Sequence, residues 1–147
     1  MLKKWLASLV ALLTKGRVAQ SAERIRRGPY EPGQVWSFHA GTDYKNALLI
    51  VLKTETLPGV GNVVHISIEG VALPQPDGTI ATRIAHMPFS ETAIDSSVTE
   101  LVRSNEKLPD YGEYYDSWRR GDEDGGYGVF TVPVKVIIDG TMKASGT

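Results

Sequence analysis

Between residues 46 and 73 the chain carries the pattern of two antiparallel strands joined by a short loop. Apolar residues run unbroken from Ala47 to Leu52, as in a central strand covered on both faces. Asn46 to Glu55 is therefore predicted as one strand. In the next, Val63 to Glu69, the apolar Val64, Ile66 and Ile68 alternate with Val63, His65, Ser67 and Glu69, which leaves one face apolar and the other mixed. Leu57-Pro-Gly-Val-Gly-Asn62 separates the two, and its proline and glycines mark a loop.

The flanking segments extend this sheet. Gln34 to His39 sets Val35 and Ser37 against Trp36 and Phe38, an aromatic-rich alternation that suits a strand. Residues 74–78, with Asp77-Gly78 at the tip, predict a turn into a short strand from Thr79 to Ala85. The period then changes. Ser90 is placed to cap a helix whose apolar stripe is Ile94, Val98, Leu101 and Val102, with Phe89 packing on Ile94 from outside and fraying near Ser104. A second helix starts at Asp110, where Asp110 and Glu113 form an acidic capping box, and stops at Gly121. Tyr127 to Val132 reads as a last strand. Beyond Pro133, the β-branched run Val134 to Ile138 is open to strand or short helix. Strands and helices segregated in this way predict an α+β fold: a curved, mostly antiparallel sheet of about five strands with two helices packed on one side.

At 147 residues one domain with one core is expected. The absence of cysteine excludes disulfides, Cys-ligated zinc and thiol catalysis. Charge divides the chain. Residues 1–30 carry seven basic side chains against Glu23 alone, whereas residues 31–147 carry nine basic and sixteen acidic, a net of −7. Gly28 to Gly33 is rich in turn formers, so residues 1–32 are expected to form an N-terminal arm and residues 33–147 a single domain. The arm opens with Lys3, Lys4 and an apolar run to Leu13, in outline a signal peptide. Lys15, Gly16 and Arg17 stand where a small-residue cleavage site belongs, and the run falls short of the roughly 20 apolar residues that span a bilayer. A docked helix, an uncleaved export signal and an interfacial anchor all fit it.

From Gly33 onward the chain resembles a family of small uncharacterised bacterial proteins. The segments that carry the resemblance are Gly33-Gln-Val-Trp-Ser-Phe38, Val63-Val-His-Ile-Ser-Ile-Glu-Gly70, His86-Met-Pro-Phe-Ser-Glu91, Ser97 to Val102, Leu108-Pro-Asp110 with Trp118, and Gly128-Val-Phe-Thr131. No activity is established for that family, so the resemblance implies a common body and no function.

Chemistry has few candidates. His39, His65 and His86 are the residues that titrate near neutral pH and ligate metals most readily, but no two form a helical i, i+4 pair. His65, Ser67 and Glu69 project from one face of a strand, a base, a hydroxyl and a carboxylate side by side. Tyr111, Tyr114, Tyr115 and Trp118 crowd one helix, too many to point inward together. The candidate ligand-binding set is thus His65, Ser67, Glu69, His86, Tyr114 and Trp118, against the plainer reading of a solvated sheet face and a core helix. Asp122 to Asp124 lacks the spacing and closing glutamate of a calcium loop, and the chain has no phosphate-loop, dinucleotide, serine-elbow or zinc-protease motif.

These features favour a non-enzymatic binding domain whose partner is another protein. The alternatives are a hydrolase-like enzyme using His65, Glu69 and His86, and a membrane-tethered accessory protein. No cofactor or metal is expected. Residues 1–27 offer weak contact with an anionic membrane, and the acidic body is not expected to bind nucleic acid. The expected location is cytoplasmic, with membrane association or export through the N-terminal segment as the alternative.

Overall fold

A computed structural model describes residues 28–121 and 128–145. The expectations for the arm before residue 28 and for the acidic loop at 122–127 lie outside the described residues. Strand β1 (Val35–Phe38) leads through a 3-10 turn (Thr42–Tyr44) into β2 (Leu48–Leu57), β3 (Gly61–Pro74) and β4 (Ile80–Ser90). Helix α1 (Glu91–Ser97), strand β5 (Val98–Arg103) and helices α2 (Gly112–Arg120) and α3 (Val134–Ser145) complete the fold. All strands join one antiparallel sheet in the order β4-β3-β2-β1-β5. The α+β class is as the pattern predicts.

The sheet is covered on both faces. Leu49, Val51, Val64, Ile66, Ile68 and Phe89 form the main core with Ile94 of α1 and Ile137 and Ile138 of α3. Val63 and Val64 are consecutive in β3 and so face opposite ways. On Val63's side, Leu57 and Val63 pack under Trp118 and Tyr115 of α2, and Val35, Ile50 and Leu52 pack under Leu108 and Tyr111. The expected arrangement of two helices on one side is corrected to three helices on two sides. The apolar run in β2 demanded that double cover.

Other corrections have local causes. The helix predicted from Ser90 to about residue 104 ends at Ser97. Ser90 caps it as expected, accepting the Ala93 amide at 3.2 Å. Ser96 and Ser97 then bond back to the Ala93 carbonyl, and the β-branched Val98 and Thr99 continue as a strand that pairs with β1. No capping box forms on α2, whose first helical residue is Gly112; Asp110 makes only a 3.4 Å contact with its amide. Gly121 stops that helix at φ 72°, as predicted. In place of a final strand, residues 128–132 give a single parallel bridge between Phe130 and Phe89. Val134 to Ser145 is helical, its first amide donated to Ser97 Oγ at 3.0 Å.

Just before the expected boundary at Gly33, Tyr30 is buried, lies edge-on to Trp36 at 5.7 Å, and donates its hydroxyl to Asp95 at 2.6 Å. At Gly70, φ is +90° where the β3–β4 register breaks, and a Cβ there would come within 3.0 Å of the Ala47 Cα.

Candidate functional site

A row of polar side chains crosses three neighbouring strands beneath α2. It begins at Glu55 on β2. In the β2–β3 register Glu55 lies opposite Val63 and Lys53 opposite His65, so Glu55 and His65 are diagonal neighbours on one face, within reach of long side chains. Glu55 Oε2 lies 2.6 Å from His65 Nε2. His65 in turn is diagonal to His86 on β4, and its Nδ1 lies 2.9 Å from His86 Nε2.

A bulge aims His86. The pairing runs Ile66 with Met87, then Ile68 with Ile84, so Ala85 and His86 together stand opposite Ser67. Two residues against one is the geometry by which a strand redirects a side chain.

The imidazole planes of His65 and His86 are 14° apart with centroids separated by 5.1 Å. A 2.9 Å bond plus about 1.1 Å from each ring nitrogen to its centroid accounts for that distance, so the rings lie end to end in nearly one plane. They are not stacked face to face. A planar, in-line N–H···N bond results.

The proton pattern follows from the carboxylate. Glu55 as a carboxylate only accepts, so His65 carries its proton on Nε2 and presents a bare Nδ1. His86 must then donate through Nε2, which leaves its own Nδ1 as the open acceptor. Tyr115 supplies a second donor to Glu55, with its hydroxyl 3.0 and 3.2 Å from the two carboxylate oxygens. Trp118 sits edge-on to His65 at 4.7 Å and fixes its indole by donating to the Gly128 carbonyl at 2.9 Å. Lys53 Nζ stands 5.3 Å from the Tyr115 ring centre.

Burial sets the protonation. His65 is wholly buried, and desolvation holds its pKa below the ordinary histidine value against the opposing pull of Glu55. His86, partly buried, is pushed down to about 4 by desolvation and then by His65 beside it. The Tyr115 hydroxyl is raised, first by burial and then by its bond to Glu55. Both imidazoles of the row are thereby held in their neutral form at neutral pH.

Of the residues singled out by sequence, His65, His86 and Trp118 come together. Ser67 lies on the same sheet face, fully buried, and its Oγ has no hydrogen-bond partner. Glu69, two residues further along β3, makes no hydrogen bond with either histidine. Tyr114 is 57% exposed on the outer side of α2, away from the row. His39 is exposed and apart. Glu55 and Tyr115 are the members that the sequence reading left out of the site. Counting back across the 57–62 loop sets Glu55 against Val63, a signal that places a carboxylate diagonal to His65.

Both nitrogens of His65 are occupied, and among the described residues no group of three His, Asp or Glu side chains is arranged to hold a metal ion. Clefts indent the surface among the described residues. One, about 490 Å³, is bordered by Tyr44, Lys135, Asp139 and Lys143; another, about 320 Å³, by Tyr30, Thr54, Glu55, Thr56, Asn62 and Glu91 among others. Neither is lined by a histidine. Among the described residues no helix is long and apolar enough to cross a membrane. No family model, curated protein or solved structure matches the chain.

Proposed function

We propose that this is a protein-interaction domain that receives an extended segment of another protein along its β5 edge. The observation that carries the reading is the state of that edge. Among the described residues β5 is the last strand of the sheet, paired only with β1, and its Leu101 and Val102 are each 47% exposed on opposite faces. Outward backbone groups of an edge strand are a template for another strand, and flanking apolar side chains give the added strand its specificity. The opposite edge is less open: the Phe130 segment bonds the end of β4 at Pro88 and Ser90. The acidic balance of residues 31–147 favours an apolar partner segment with basic flanks. On this reading the domain works in the cytoplasm, which cell fractionation tests directly.

A photo-crosslinking residue at Leu101, compared with one at Ile80 on β4, tests the proposal in cells that make the full chain. One partner protein should crosslink from Leu101 and not from Ile80. It should disappear when Val102→Lys is added, since an exposed substitution of this kind leaves the fold within about 0.5 kcal/mol. Equal products from both edges, or products that persist in the lysine variant, would refute it.

A further inference from the structure

We infer that Glu55, His65 and His86 form a proton-accepting site, with Nδ1 of His86 as the end that meets a hydroxyl or a water molecule. The inference is independent of the β5 edge. It rests on the in-line order of the three groups, on the open nitrogen that this order leaves, and on the buried hydroxyl beside it.

The transfer balances within the row. An O–H bond of the incoming hydroxyl breaks and its proton forms N–H on His86 Nδ1, while the electron pair stays on the ligand oxygen. The Nε2 proton of His86 passes across the 2.9 Å bond to His65 Nδ1, and the Nε2 proton of His65 passes across the 2.6 Å bond to Glu55 Oε2. Both imidazoles end neutral in the other tautomer. The negative charge that was on Glu55 has left the row and sits on the ligand oxygen. No imidazolium is stranded in the interior, which is what burial would penalise most.

The planar junction matters here. A proton moves between ring nitrogens only along the line of their lone pairs, and the 14° plane angle with 2.9 Å separation keeps both on that line. Tyr115 and Trp118 flank the row, with their rings 6.2 and 6.1 Å from that of His86, so they wall it with aromatic surface. Ser67 adds a second sign of a ligand. Its Oγ is fully buried without a partner, and its position across the strand pair is the bulge that carries His86. Buried hydroxyls left unpaired are rare, and this one lies across the strand pair from His86.

The chemistry suits a small hydroxyl-bearing ligand, with His86 as the general base and Glu55 and His65 as positioning residues behind it. Two measurements on the full chain test this. Nitrogen-15 NMR of the histidines at pH 7 should find both buried rings in the Nε2–H tautomer. A His86 ring protonated on Nδ1 would reverse the direction of the row and overturn the inference.

The second measurement uses p-nitrophenyl acetate as a probe of the open nitrogen. His86→Gln should lower its hydrolysis at least tenfold, and Glu55→Gln should do the same with the His86 ring still present. His39→Gln should leave the rate unchanged. A Glu55→Gln protein that folds and reacts like the parent would leave the row a structural network and sink the proposal. If that variant does not fold, the tautomer assignment of the parent protein decides alone.

Discussion

Acid should unfold this protein through its histidine row before most carboxylates are involved. His86 takes up a proton near pH 6.5 in the unfolded chain, but only at about 4 in the folded one. Its folded-state pKa is depressed, so its contribution is present above pH 6.5 and is lost as pH falls through 6.5 toward 4. Within that window the unfolded chain binds a proton that the folded one does not. At about 1.4 kcal/mol for each pH unit between the two values, the loss approaches 3 kcal/mol, and solvent at the partly exposed ring trims it to about 2–3 kcal/mol. His65 shifts in the same direction. The charges that bear on the pair are Glu55, which opposes the effect, and Lys53 and Arg119, which reinforce it at His65. A domain of this size holds about 5–15 kcal/mol in all, so the loss is material. Urea unfolding at pH 7 and pH 4, on the parent and on His86→Gln, isolates it. The parent should lose about 2–3 kcal/mol more than the variant over that interval. Parallel pH dependences in the two proteins would refute the reasoning, as would a parent that gains stability in acid.

Three further outcomes are expected. Ser67→Ala should leave stability unchanged or raise it by about 1 kcal/mol, because it removes a buried hydroxyl without a partner; a fall in the urea midpoint would mean that Ser67 is bonded in solution. Trp118→Ala should cost about 3–5 kcal/mol in the same assay, since it strips the cover from His65 and Val63, whereas the exposed His39→Ala should stay within about 0.5 kcal/mol. Tyr30→Phe should cost about 1–2 kcal/mol by removing the donor to the buried Asp95; no change would return residues 28–33 to the status of a linker.

Strands β1 to β3 were legible because their signal is local. An unbroken apolar run in β2 and strict alternation in β3 need no knowledge of partners, and the Ser90 cap and the Gly121 stop are likewise written in adjacent residues. What misled was any segment settled by a distant one. Val98, Leu101 and Val102 fit a helical stripe, yet β1 offers them a ladder and the Ser96 and Ser97 hydroxyls bond back to Ala93. Val134 to Ile138 is open to strand or helix by composition, and the helix is settled by a distant residue, since Ser97 receives its first amide. The site divides in the same way. Sequence could put His65, Ser67 and Glu69 on one face, but chose the carboxylate four residues along the strand from His65 over the one diagonal to it on β2. Across a sheet, a diagonal neighbour on the next strand is closer than a same-face neighbour four residues away on its own.

The polar row also bears on why this sheet adopts a single register. Much of its buried lining is Val, Leu and Ile, which pack almost as well after a two-residue slip, because such a slip preserves which side chains face the core. Glu55, His65 and His86 do not permit it. Moving β2 or β4 by two residues would leave a wholly buried His65 with one nitrogen unpaired, and an unpaired buried polar group costs about 1–3 kcal/mol. The row thus opposes the nearest misfolded alternatives. That role accounts for a buried, satisfied His65, but gives no reason for the open Nδ1 of His86 or the unpaired hydroxyl of Ser67. Register needs only the inner bonds of the row, so it places no demand on the outer nitrogen of His86.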